Sequence, residues 1–262
     1  MSNLQVKGFG ALELSENGLA VQSFPTRHVE ELLGYLLLNQ NKTFGREELI
    51  DLLWLYDASE NSRARFSTVL WRLRGVFKKL GVEASAFLRA TRDHITFAPE
   101  EPLQFDVERF ERQLEVAWSK KEDIDKLDEL TRAVNLYQGE LYSGIYVDWC
   151  LIERERLARK HMQALGELMH CHIRQNDLVK AIEIGQTILN IDPMREEVHR
   201  GLIFCHGKLG HRAEAAAQFQ QCAHYMISEL QVYPMPDTVR VYQQIMAGYM
   251  NNNVARSNGD MV

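Results

Sequence analysis

Residues 60–80 read ENSRARFSTVLWRLRGVFKKL, and this stretch decides the fold of the N-terminal part of the chain. Phe66, Leu70, Leu73, Phe77 and Leu80 recur at spacings of three and four. At about 100° per residue they stay within one narrow arc, which predicts a helix from Asn61 to about Leu80 with a single core-facing stripe. Ser67, Thr68, Trp71, Arg72, Gly75, Lys78 and Lys79 fall on the opposite arc, with Arg65 and Arg74 beside it. Between residues 61 and 92, eight basic residues stand against one acid, Glu83. The whole chain of 262 residues carries a formal charge of −6, so the remainder is strongly acidic and the basic surface is local. A basic arc alone is an ordinary solvated helix face. Near-absence of acids over so long a stretch favours a polyanionic partner instead.

The flanking sequence supplies a frame for that helix. Residues 4–24 alternate in short runs (LQVKGF, ALELSENG, LAVQSF), and SENG is a turn signal, so a small antiparallel sheet is expected. Pro25 and Thr26 open a helix, with Thr26 as N-cap and Val29, Leu32, Leu33, Leu36 and Leu37 on its apolar face. NQNK ends it. A second helix follows over Arg46–Trp54, then a polar loop at 55–60, and the third helix starts near Glu60. After Gly81, FLRATRDHITFA predicts two short strands about a tight turn at Arg92–Asp93, a wing at 87–97. Strands, three helices and a hairpin make a winged helix-turn-helix.

Pro99 and Pro102 mark a boundary. Beyond Asp106 the chain reads as helix throughout, roughly over 106–118, 123–138, 149–175, 178–190, 195–208, 212–230 and 236–249. An offset of 34 residues aligns Leu168 with Leu202, Asn176 with Gly210 and Ala181 with Ala215, the period of a tetratricopeptide array. The expected fold is therefore mainly α. A winged helix with small antiparallel sheets occupies 1–104, an all-α tetratricopeptide-like solenoid 105–250, and a disordered tail 251–262.

A helix laid in the major groove needs short polar groups and a long donor on its outward side. Ser67, Thr68, Trp71 and Arg72 are the expected reading residues of double-stranded DNA. Arg72 suits a guanine taken bidentately, and the Thr68 methyl suits thymine. Trp71 is left between a base edge, a sugar and the wing. Arg65, Arg74, Lys78 and Lys79 suit phosphates. Arg92 and His94 of the wing are expected at the adjacent minor groove, and Lys42 and Arg46, near the start of the second helix, at the backbone.

Other chemistry is not signalled. The sequence holds no Ser–His–Asp order, phosphate-binding glycine loop or HExxH, so an enzyme is not expected and no cofactor or metal is implied. Cys150, Cys171, Cys205 and Cys222 lie far apart and read as core residues of a reducing compartment. All nine histidines read as structural. Tyr137, Tyr142, Tyr146 and Trp149 read as a core cluster. Neither a membrane span nor a secretory leader is apparent, so a cytoplasmic place is expected.

Several stretches also carry a resemblance. EELIDLLW and ENSRARFSTVLWRLRGVF, with its Leu73-Arg74 pair, resemble the OmpR/PhoB-type winged helix. FDVERFERQLEVAW, AVNLYQGELY, DWCLIERERL, DPMREEVHRGLI and GHRAEAAAQFQQC resemble the bacterial transcriptional activator domain. In this order, over residues 4–248, the chain resembles SARP-type transcription activators. The resemblance implies promoter DNA as ligand, activation through RNA polymerase, and homodimers on direct repeats. It leaves room for a small effector or protein partner on the helical half. The competing reading is a tetratricopeptide adaptor whose winged helix docks protein rather than DNA.

Overall fold

The computed structural model describes residues 4–54, 61–101 and 103–248. The expected loop at 55–60, Pro102 and the tail at 251–262 lie outside them. The described residues fall into two compact units, one within 1–113 and 135–159 and the other within 114–134 and 160–262.

In the first unit, β1 (Gln5–Lys7), β2 (Glu13–Glu16) and β3 (Leu19–Val21) form the expected antiparallel meander. Glu16 pairs with Leu19 across a two-residue loop, Asn17-Gly18, whose φ angles are 48° and 83°. Both loop residues are left-handed, the turn whose twist matches the flanking strands and which Asn-Gly favours. The sheet has a fourth strand that alternation did not reveal. Gln104–Phe105, here β7, runs parallel to β1. Two residues are too few to leave a period in the sequence.

Helix α1 (Arg27–Leu38) starts where expected, but Thr26 caps it only through the backbone. Its carbonyl accepts the N–H groups of Val29 and Glu30, while its hydroxyl makes no capping bond. β4 (Thr43–Gly45) leads into α2 (Arg46–Leu53), and α3 spans Ser62–Lys79 with Asn61 and Leu80 as its caps. The 3-10 turn Ala84–Ala86 precedes β5 (Leu88–Ala90) and β6 (His94–Phe97). β6 is central in a three-stranded sheet, β4-β6-β5. The predicted stripe of α3 is buried, and Val69 and Val76 widen it. Phe77 stacks on Phe87 at 5.2 Å, which joins α3 to the wing.

Residues 135–159 complete this unit. Tyr142 is fully buried, with φ of 45°, and its hydroxyl donates to the Gly34 carbonyl at 3.3 Å. A Cβ on Gly34 would lie 3.0 Å from that ring, so glycine is what lets α1 and the tyrosine meet. The Arg154 guanidinium donates to the carbonyls of Leu141, Tyr142 and Ile145 at 2.9–3.0 Å. Asp106 accepts N–H groups from Gly8 (2.7 Å), Phe9 (3.1 Å) and Val107 (2.8 Å). The core reading holds for Tyr137, packed on Phe9 at 4.7 Å, for Tyr142, and for Trp149, edge-on to Tyr35 at 5.4 Å. It fails for Tyr146, which is exposed with the Arg154 guanidinium over its ring.

The helices of the C-terminal part follow the periodicity closely. They are α4 (Asp106–Ser119), α5 (Asp123–Leu136), α6 (Asp148–Arg174), α7 (Leu178–Ile191), α8 (Glu196–Lys208), α9 (Arg212–Ser228) and α10 (Pro236–Met246). In the second unit the 34-residue offset has a physical basis. Leu168 and Leu202 are buried, as are Ala181 and Ala215. Asn176 and Gly210 both end a helix in the left-handed region, with φ of 59° and 81°. Gly207 admits Ile245 of α10, since a Cβ there would stand 2.5 Å from the isoleucine side chain. The fold is thus mainly α, a winged helix-turn-helix with small sheets followed by a tetratricopeptide-like helical array.

Candidate nucleic-acid interface

Burying seven residues of one stripe fixes what α3 can show to solvent. Ala64, Ser67, Thr68, Trp71 and Lys78 are exposed along the side away from the core. Trp71 is 71% exposed at the middle of that side. It is not folded onto the wing. Ser67 Oγ donates to the Arg63 carbonyl at 2.9 Å and Thr68 Oγ1 to the Ala64 carbonyl at 3.1 Å. With their protons held by the helix, both hydroxyls present lone pairs outward, and Thr68 adds its methyl. From Ala64 to Trp71 the exposed edge runs about 10 Å, or roughly three base-pair steps.

Cations line both margins. Arg74 and Arg63 share one side, and Arg65, Arg72 and Lys79 the other, as their spacings require at about 100° per residue. Arg72 is only half-exposed, because its margin borders buried Val76. Arg72, Arg74, Lys78 and Lys79 form no ion pair among the described residues. The other cations are partly engaged. Arg63 pairs with Glu47 at 2.7 Å, and Arg65 lies over the Trp54 ring at 5.1 Å.

Arg46 has a structural share in the arrangement. Its backbone N–H donates to the Asp93 carbonyl at 2.9 Å, its Nε donates to the Thr91 carbonyl at 3.2 Å, and its guanidinium sits 5.9 Å over Phe66. One residue therefore ties the start of α2 to the wing turn and to α3. Thr91 closes that turn, accepting the His94 N–H at 3.0 Å and leaving Arg92 exposed at the tip. An open cavity of about 460 Å³ lies where these parts meet, lined by Arg46, Arg63, Ser67 and Arg92 together with Glu47 and Asp93. Arg63 is not among the DNA contacts expected from the sequence. Its position eleven residues before Arg74, just over three full helical turns, is the signal that places both on one margin. Lys42 stands apart, before β4 rather than at the start of α2, with its Nζ on Asn39 Oδ1 at 3.0 Å. His94 is exposed on β6, opposite Gly45.

Several buried titratable groups away from α3 are held in their neutral forms. Burial pushes the thiols of Cys150 and Cys205 up to about 11 and that of Cys222 to about 12, so all three stay protonated at neutral pH. Burial drives His161 down to about 4 and also lowers His199, which lies between the Pro193 carbonyl and Gln218. Among the described residues no three His, Cys, Asp or Glu side chains are grouped to hold a metal ion. No helix among them is long and apolar enough to cross a membrane.

A winged helix with a basic outward helix, followed by helical repeats, is the architecture of a transcription regulator. The chain belongs to the bacterial transcriptional activator domain family, whose model matches residues 105–246. The tandem of winged helix and activator domain read from the sequence as SARP-type is borne out by its relatives. Regulatory protein AfsR of Streptomyces coelicolor is 26% identical over 220 residues, covering 82% of this chain and 21% of that protein. AfsR of Streptomyces griseus is 22% identical over 218 residues, covering 82% and 22%. The chain thus spans about a fifth of the length of these relatives. In fold it is similar to the structure of Mycobacterium tuberculosis EmbR in complex with low-affinity phosphopeptide. The TM-score is 0.77 at 17% identity, over 94% of this chain and 66% of that one.

Proposed function

We propose that the protein binds double-stranded promoter DNA through α3 and the wing and activates transcription by contacting RNA polymerase. The carrying observation is the α3 surface. Ser67, Thr68 and Trp71 are exposed in a row, bordered by Arg72, Arg74, Lys78 and Lys79, which have no acidic partner among the described residues. Such a surface matches a polyanion whose base edges are read at the centre and whose phosphates are gripped at the margins. Arg72 takes a guanine edge. Arg65, Arg74, Lys78 and Lys79 take phosphates, and Arg92 and His94 approach the neighbouring minor groove. Lys42 and Arg46 contribute to the backbone grip from outside the helix, with Arg46 acting also as the tether of the wing.

Family membership supports regulation of transcription and the family's name supports activation, for which contact with RNA polymerase is the proposed route. A protein contact on the helical half has its own support. Ile227, Leu230, Val232, Tyr233 and Met235 are exposed within one short stretch. Homodimers on paired half-sites, a cytoplasmic place, the absence of catalysis and a module junction at 104/105 complete the reading. The family match begins at residue 105, while in the fold residues 105–113 and 135–159 pack with the winged helix.

A genome-wide footprint of the tagged protein tests it. Enriched promoter fragments sharing a motif, with half-sites one or more helical turns apart, are expected. Arg72→Ala should weaken promoter binding by about 1–3 kcal/mol and relax one base position. A footprint with no enriched motif, from a protein that still captures protein partners, favours the adaptor instead.

A further inference from the structure

Resting on the DNA reading above, we propose that Trp71 and Gly75 together form an apolar element that reads the 5-methyl group of a thymine. Trp71 is 71% exposed on the outward side of α3 and takes part in no hydrogen bond, ring stack or cation contact among the described residues. Tryptophan is seldom left so bare, because its ring carries a large apolar area. Its outward neighbours Ser67, Thr68 and Lys78 offer polar groups, so nothing within the helix covers it.

Gly75 is the second observation. It lies inside an 18-residue helix with no positive φ, so the backbone does not require glycine there. A Cβ built on it would meet nothing within 4 Å, so packing does not require glycine either. An interior glycine nevertheless weakens a helix relative to alanine. Helical side chains lean toward the N-terminus, so a side chain at 75 would lie across the turn holding Trp71. Its absence leaves an open notch over that turn, with no side chain beyond its chain neighbours, the Trp71 indole included, within 4 Å of where a Cβ would stand. The fold gives no use for this notch, whereas a group entering from a ligand does.

The chemistry selects thymine. Of the four unmodified bases, it alone presents a methyl group on the major-groove edge. A methyl against an indole face in a notch sheds water from both surfaces, and this is an apolar contact that Phe can also make. A hydrogen bond from the indole N–H to a base acceptor is the alternative contact, and Phe cannot make it.

The test uses the full chain and a duplex carrying its footprinted promoter site. Each thymine is replaced singly by deoxyuridine, which removes the methyl and nothing else. At one position the parent should bind about fourfold more weakly, the equivalent of one buried methyl. Trp71→Phe should keep most of that sensitivity, Trp71→Ala should lose it, and Thr68→Ala should retain it. Gly75→Leu should raise the melting temperature of the protein while lowering affinity and erasing the thymine effect. That combination separates a blocked notch from a damaged fold. Salt-dependent promoter binding with no sensitive thymine would overturn the Trp71 assignment and leave the DNA reading standing. Sensitivity that survives in Trp71→Ala, or is lost equally in Trp71→Phe, would also overturn it. A parent with no salt-dependent DNA binding would remove the DNA reading itself.

Discussion

Truncating Tyr142 should destabilise the winged-helix unit although this residue lies far along the chain from α3. Its ring is fully buried against α1 and the first sheet, with Gly34 and Gly8 both making room for it. Truncating a buried aromatic to alanine costs about 3–5 kcal/mol, because transfer and cavity terms add. The hydroxyl bond to Gly34 is long at 3.3 Å, so Tyr142→Phe should cost only about 0.5–1 kcal/mol. The φ of 45° adds a third handle. Tyr142→Gly leaves the same hole but relieves the left-handed strain, so it should be more stable than Tyr142→Ala by about 1 kcal/mol. Urea unfolding followed by circular dichroism and tryptophan fluorescence would give the order parent, Phe, Gly, Ala. If Tyr142→Ala loses less than about 1 kcal/mol, residues 135–159 do not complete the winged-helix core and the reasoning is wrong.

Three further outcomes are expected. Gly207→Ala gains helix propensity of about 1 kcal/mol but drives a methyl into Ile245, which is 2% exposed and cannot swing away. Net destabilisation of about 1–2 kcal/mol in a thermal melt is expected, and a stabilised variant would refute the α8–α10 packing. His161 is held neutral by burial, down to about 4, below its ordinary 6.5. The unfolded chain therefore binds the proton first, and stability should fall as pH drops through 6.5, levelling below about 4, by up to ~3 kcal/mol. Urea titrations should show a shallower fall in His161→Leu, and an unchanged slope would count against a buried neutral imidazole. A fragment ending at residue 104 lacks Asp106, Phe110, Tyr137 and Tyr142, whereas one ending at 159 keeps them. Amide exchange should show weak protection in the first and strong protection in the second.

What the sequence made legible was periodic and local. The α3 stripe of Phe66, Leu70, Leu73, Phe77 and Leu80 buries as its spacing demands. The 34-residue offset survives as matched left-handed helix ends at Asn176 and Gly210. Features that depend on distant pairing were hidden. β7 is two residues long and pairs with a strand near the other end of its unit. Tyr142 reaches Gly34 across 108 positions, and its positive φ is unusual for a bulky residue. Within the candidate interface, periodicity found the outward row and the cations around it. It did not find that Arg46 is bonded to the wing, that Arg63 is paired to Glu47, or that Arg72 is half-covered beside Val76. Those facts come from neighbours that only the folded chain supplies.

If α3 grips DNA, promoter affinity must depend on salt, and that dependence is the most direct test. Each phosphate contact contributes a slope of about −0.9 in log K against log salt. Lys78 and Lys79 are exposed and have no acidic partner among the described residues. The doubly substituted Lys78→Ala, Lys79→Ala protein should therefore bind promoter and unrelated duplexes more weakly alike, with a slope shallower than the parent's by about 2. A parent whose affinity is indifferent to salt, or a double variant with the parent's slope, would contradict the account.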